Sequence, residues 1–179
     1  MAHDVGMTWS APQIERNREP FVADERTMLE GWLDWHRQTL LYKSAGLTSQ
    51  QLKTASVEPS TLTLLGLVRH MAEVEHSWFN VRAAGEPESL IYCSEESPDG
   101  DFDDIAEADA QADFATYEAA CQSARRAVAD LSLEHRFVHP RRQVEMSLRW
   151  VYLHMIEEYA RHNGHADLIR ERIDGVTGA

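Results

Sequence analysis

Near the end of the chain, His154, Glu158, His162 and His165 have side-chain types and spacings that can do chemistry. Steps of four and three place them on one helical face, as a continuous stripe of imidazoles and a carboxylate. Met155, Tyr159 and Ile169 run beside them, so the stripe meets the interior of a helical protein or its edge. Burying such groups costs free energy unless they are paired or hold a metal ion. A Glu and a His four apart can both reach one cation, and a facing helix can supply the remaining ligand. His70, among Leu67 and Met71, is the candidate, whereas His76 points to another face. Three protein ligands leave positions open for water or substrate, the pattern of catalytic rather than structural zinc. On the residues alone, other readings stand beside the metal site. The stripe also reads as a solvated face or as an ion-pair array with Arg161 and Arg149, and His70 as a hydrogen-bonded core histidine.

The remaining motifs carry less. Asp99-Gly100-Asp101-Phe102-Asp103-Asp104 looks superficially like a calcium loop. Asp104 and Ala110 stand where an EF-hand needs Gly and Glu, so the stretch reads as a solvated acidic loop. No Gly-rich phosphate loop or GxSxG elbow is present. Cys93 has no base positioned near it in sequence and reads as an inert thiol. Arg141-Arg142 beside His139 reads as surface charge or as a pair for an anionic group at the mouth of the helices.

These residues need helices to position them, and hydrophobic periodicity predicts four. After an arm with Pro12 and Pro20, the first spans Ala23 to about Ala45, with apolar residues from Met28 to Leu41 at helical spacing and Gly46 as the stop. Thr48 and Gln51 resemble a capping box for a short turn, Ser49 to Lys53. The second helix opens at Pro59-Ser60 with Ser60 as N-cap, carries Leu62 to Phe79, and ends at Gly85 and Pro87. An acidic loop runs from Glu86 to about Asp104, and the third helix from about Ile105 to Leu131. Ser147 caps the fourth, which continues to Asp174-Gly175. No alternating run is long enough to insist on a sheet. The expectation is an all-α four-helix bundle: arm 1–22, one domain 23–175, tail 176–179. Met1 to Gly6 read as an upstream extension, since Met7 can also open the chain.

The 179 residues suit a single domain with a core large enough to fold without staples. Seventeen Lys+Arg against 30 Asp+Glu give a net charge of −13, which argues against a phosphate-backbone partner. Nine acidic residues and no Lys or Arg lie between Glu95 and Asp113, so the excess is concentrated there. Arg69, Arg149, Arg161 and Arg170 surround the predicted site instead. Two unpaired cysteines and no secretory signal fit the cytoplasm, and no apolar run is long enough for a membrane span.

Three stretches carry a resemblance: SVEPSTLTLLGLVRHMAEVEHSWF (56–79), SPDGDFDD (97–104) and SLRWVYLHMIEEYARHNGHADLIRERIDG (147–175). They resemble the DUF664 branch of the DinB/YfiT-like superfamily, from about Asp24 to Gly175. The resemblance implies an up-down-down-up four-helix bundle holding a divalent metal on His70, Glu158 and His162. Many members have His where this chain has Glu158; His-Glu-His is the set of mycothiol-dependent maleylpyruvate isomerases. Zinc is the first expectation for the metal, with nickel, iron or manganese as alternatives. His154 and His165 match no universal ligand position and are expected to shuttle protons, with Tyr159 and Arg161 positioning substrate or cofactor. The implied activity is thiol S-transfer, activating a small thiol such as mycothiol for attack on an electrophile. The alternative is a non-catalytic metal-binding or stress-response module. Neither nucleic acid nor membrane is an expected partner; a homodimer is possible.

Overall fold

The computed structural model describes residues 9–178. Met1 to Gly6, the stretch read as an extension, lie outside them. The chain is mostly helical, with one small sheet. Helix α1, Glu25–Ser44, begins where the Asp24 carboxylate accepts the Thr27 N–H, and it carries Glu25 in its first turn and Lys43 in its last. Those charges complement the helix dipole. The Thr48–Gln51 capping box forms and holds α2, Ser49–Leu52. At the other end of the chain, the Ser147 hydroxyl caps α6, Leu148–Asp174. Gly175 closes it at φ 78°, a left-handed conformation that favours glycine.

The second helix starts later than its composition suggests. Ser60 spends its hydroxyl on the Leu62 N–H within a turn, and Thr63 caps α3, Leu64–Glu75, by accepting the Gly66 N–H at 2.9 Å. The helix then widens into a π-helical stretch, His76–Ala83, which periodicity did not anticipate. The acidic connection contains a further short helix, α4, Gly100–Asp103. Helix α5 is correspondingly shorter than expected, Ala110–Ala127, because Asp109 caps it by accepting the Gln111 and Ala112 N–H groups. A hairpin of β1, Arg136–Val138, and β2, Glu145–Ser147, leads into α6. It pairs Arg136 with Ser147 and Val138 with Glu145. Three residues per strand are too few to show alternation in sequence.

Helix α1 packs along α6 and α3 along α5, while α3 and its π-helical extension also meet α6. Leu33, Leu40, Leu67, Met71, Val151 and Met155 are fully buried between them. Leu153 and Leu168, apolar residues of α6, are exposed instead of joining this core. The N-terminal arm is not separate from this core. Ala11 is buried, its N–H bonds the Leu47 carbonyl, and Trp9 packs edge-on against Phe114.

A charged pair lies deep in the interior. Arg37 of α1 makes a two-pronged contact with Glu75 of α3, at 2.7 and 2.6 Å, and the Glu75 side chain is wholly buried. The Tyr159 hydroxyl donates to Glu75 at 2.8 Å and lies 2.9 Å from that of Tyr117. Burial pushes both phenols well above their ordinary pKa, so each remains a hydroxyl. Tyr159 thus joins a core network instead of reaching a solvent-borne group.

Candidate metal centre

The wide spacing of His70 from the last helix closes in three dimensions. His70 on α3 and Glu158 and His162 on α6 each offer a ligand atom, and these atoms lie within 4.8 Å of one another. His162 Nε2 is 3.4 Å from Glu158, and the His70 and His162 rings meet edge-on at 4.9 Å. Burial, reinforced by the neighbouring His70 and His165, depresses the His162 pKa to about 4. Its ring is therefore neutral at pH 7 and keeps a lone pair.

A fourth residue completes His70. The Asp101 carboxylate, buried in α4, lies 2.7 Å from His70 Nδ1. Burial works to raise the Asp101 pKa, but the hydrogen bond and charge of His70 outweigh it and hold the group below its ordinary value. With Nδ1 engaged as donor, His70 presents Nε2 to the cluster. Phe102 stacks on the same ring at 4.7 Å. Asp101 was not singled out from sequence, where it reads as one carboxylate in a solvated run; Phe102 inside that run is the only hint that the loop folds back.

That loop is anchored. Arg69 donates to the carbonyls of Asp101 and Gly100, faces the Asp113 carboxylate at 3.3 Å, and lies over the Tyr92 ring. Glu73 accepts the backbone N–H groups of Ile91, Tyr92 and Cys93. A Cβ at position 100 would meet the Tyr92 carbonyl at 2.5 Å, so glycine alone fits there. Of the arginines expected around the site, only Arg161 reaches it, bonding Glu157 and lying 3.3 Å from Glu158. Arg149 pairs with Glu25 and Glu134, and Arg170 with Asp174.

His165 Nδ1 lies 3.4 Å from His162 Nδ1, on the side of the ring away from Glu158. His154 is held differently. It stacks on Trp150 at 4.8 Å and meets Trp78 edge-on at 4.7 Å, and burial lowers its pKa. Its Nε2 is 3.8 Å from Glu158, and with Glu157 and Glu158 it forms a second group of potential ligands. His76 bonds the Ser89 hydroxyl, away from the cluster.

A family model described as mycothiol-S-transferase matches residues 28–175. The chain belongs to the mycothiol-S-transferase family. This is a DinB/YfiT-like family, in agreement with the resemblance of the three sequence stretches. No curated protein and no solved structure matches the chain. Among the described residues, no helix is long and apolar enough to cross a membrane.

Membership of the mycothiol-S-transferase family raises the question of the chain's own thiols. Both are poorly suited to nucleophilic work. Cys121 is buried and its pKa pushed up to about 12; Cys93 is partly exposed, but burial still pushes it to about 11 from 9.0. Raised values mean that both thiols stay protonated through neutral pH and ionise only as the solution becomes strongly alkaline. Two pKa units remove about 99% of the thiolate at pH 8, and the higher basicity of what remains restores roughly a tenfold rate, leaving about a tenfold deficit. Iodoacetamide should therefore label Cys93 about ten times more slowly at pH 8 than in urea-unfolded chain. Mass spectrometry reads this directly, and equal rates would contradict it.

Proposed function

We propose that the chain is a divalent-metal-dependent thiol S-transferase acting on mycothiol and an electrophile in the cytoplasm, built on an up-down-down-up four-helix bundle. One observation carries this reading: the convergence of His70, Glu158 and His162 from two helices in a member of the mycothiol-S-transferase family. The donor set fits a metal. Two imidazoles and one carboxylate suit zinc first, with nickel, iron or manganese as alternatives. Asp101 on the far nitrogen of His70 is the partner that ligating histidines usually have. Tetrahedral bonds of about 2.1 Å set ligand atoms about 3.4 Å apart, so small side-chain rotations bring the three into range.

A bound ion supplies Lewis-acid chemistry that favours the thiolate form of a small thiol at neutral pH. The chain's residues do the rest. Asp101 fixes the tautomer and plane of His70, and neutral His162 offers its lone pair without first losing a proton. Glu158 contributes the negative charge that offsets a cation. His154, neutral and next to Glu158, can take a proton from an incoming thiol; His165 orients His162 through Nδ1. Arg161 is free to exchange Glu158 for an anionic part of the cofactor. Tyr159 lies outside this chemistry, because Glu75 and Tyr117 occupy its hydroxyl.

Elemental analysis of the purified protein, followed by a conjugation assay with mycothiol and a reactive electrophile, tests the proposal. About one divalent ion per chain and mycothiol-dependent product are expected. Stoichiometric metal without product would leave the non-catalytic metal-binding module, and absence of metal would overturn both.

A further inference from the structure

Three guanidiniums in this acidic chain gather with no carboxylate at salt-bridge distance among the described residues, unlike Arg26, Arg37, Arg125 and Arg149. They are Arg82, on the π-helical stretch, and Arg141 and Arg142, in the tight turn after β1. Their charges act on one another and on His139, and the charge of Arg142 also reaches His154. Glu88 lines a hollow with Arg82 and Arg141 and partly offsets Arg82, and three guanidiniums against this one carboxylate leave the patch net positive.

His139 supplies the second observation. It is 95% buried, being only 5% exposed, and its Nδ1 faces the backbone N–H groups of both Arg141 and Arg142 at 3.2 Å. An N–H can only donate, so Nδ1 is the acceptor and the ring proton sits on Nε2. Nε2, however, faces the Arg82 Nε–H at 3.4 Å. Two N–H groups therefore point at each other across 3.4 Å in a half-buried position. Such a clash is relieved by an acceptor that takes both hydrogens, and an oxyanion does so while balancing the guanidiniums.

The patch also lies in the right place. Trp78 packs against both His139, at 5.6 Å, and His154, at 4.7 Å, with Arg82 over its ring at 4.8 Å. A single indole thus touches both the patch and the histidine that borders Glu158. In a regular helix Arg82, twelve residues beyond His70, would lie about 120° round the axis from it. The wider π-helical turn removes most of that offset and brings His70, Trp78 and Arg82 towards one face.

We infer that Arg82, His139 and Arg142 form an oxyanion subsite that holds a carboxylate or phosphate group of the electrophilic substrate while its reacting end reaches the His70–Glu158–His162 cluster. The identity of the ligand as the electrophile rests on the thiol-transfer reading; the oxyanion site itself does not. Inorganic phosphate and succinate, titrated separately into the 15N-labelled protein, test the site through the Arg82 Nε–H resonance. At least one should give a saturable shift with millimolar affinity, and which one does separates a phosphate site from a carboxylate site. Arg142→Gln, a change at an exposed residue, should weaken binding at least threefold. Arg82→Gln, read by thermal shift because it removes the reporter, should abolish it, and the distant Arg172→Gln should leave it intact. No saturable shift with either anion, or equal binding in all variants, overturns the subsite. The same titration on His162→Ala keeps the two readings apart: binding there with no thiol conjugation in the parent protein retains the subsite and removes the transferase. Where conjugation occurs, Arg142→Gln should raise KM at least tenfold for an anionic electrophile and leave a neutral one unchanged. Equal effects on both would overturn the assignment to substrate.

Discussion

Replacing His162 by alanine is expected to weaken divalent-metal binding at least a hundredfold and to reduce mycothiol conjugation to background, while the far-UV circular dichroism stays unchanged. The magnitude follows from a comparison of shells. Removing a group that only supports a ligand typically costs about 10–100-fold in metal affinity, so removing a ligand must cost more. Asp101→Asn supplies the lower rung on the same scale, because its amide can still contact His70 but no longer as an anion. It is expected to lose about 10–100-fold. The order, with His162→Ala below Asp101→Asn and Asp101→Asn below the parent, is the informative outcome. Unchanged metal content in His162→Ala would remove the cluster from the chemistry. The fold should tolerate the change, since His162 sits at the edge of the interior with its side chain 11% exposed.

Glu75→Ala should have the largest effect on stability. Arg37 is buried, and its guanidinium has Glu75 and Asp34 as carboxylate partners, of which Glu75 alone is fully buried. Removing Glu75 leaves a charge in the interior without adequate compensation and takes the acceptor from Tyr159, a loss of about 3–5 kcal/mol. For a chain of this size that corresponds to a fall in Tm of roughly 10 °C. Urea denaturation of the variant measures it. Arg37→Met combined with Glu75→Leu should recover most of the loss, because the pair's own attraction largely offsets the cost of desolvating it. A double variant as unstable as Glu75→Ala would show that Glu75 acts through Tyr159, not through Arg37.

The legibility of this chain follows from the range of its interactions. Helix faces and caps depend on residues within one or two turns, and Asp24, Thr48 and Ser147 cap close to where local pattern sets them. His154, Glu158 and His162 share one helix, so their spacing alone puts them side by side. His70 was within reach as an imidazole among Leu67 and Met71 on a facing helix, although a hydrogen-bonded core histidine stood beside that reading. Asp101 was not, since its meaning depends on a loop that Arg69 folds back from another helix. The Arg37–Glu75 pair was equally silent, joining residues 38 apart on different helices. The π-helical stretch also went unseen: His76 to Ala83 has an ordinary helical composition, and nothing local marks the widening of a segment that packs against α5 and α6.

That widened stretch divides one continuous helix into two registers. Residues before His76 aim the His70 imidazole; residues after it aim the Trp78 indole and the Arg82 guanidinium. Inserting or deleting one residue between them turns the second set about the helix axis and leaves the first where it was. A change of length alone would therefore re-aim Trp78 and Arg82 while His70, Glu158 and His162 are preserved. Homologues that differ by one residue between His76 and Ala83 should accordingly share a metal centre and differ in substrate.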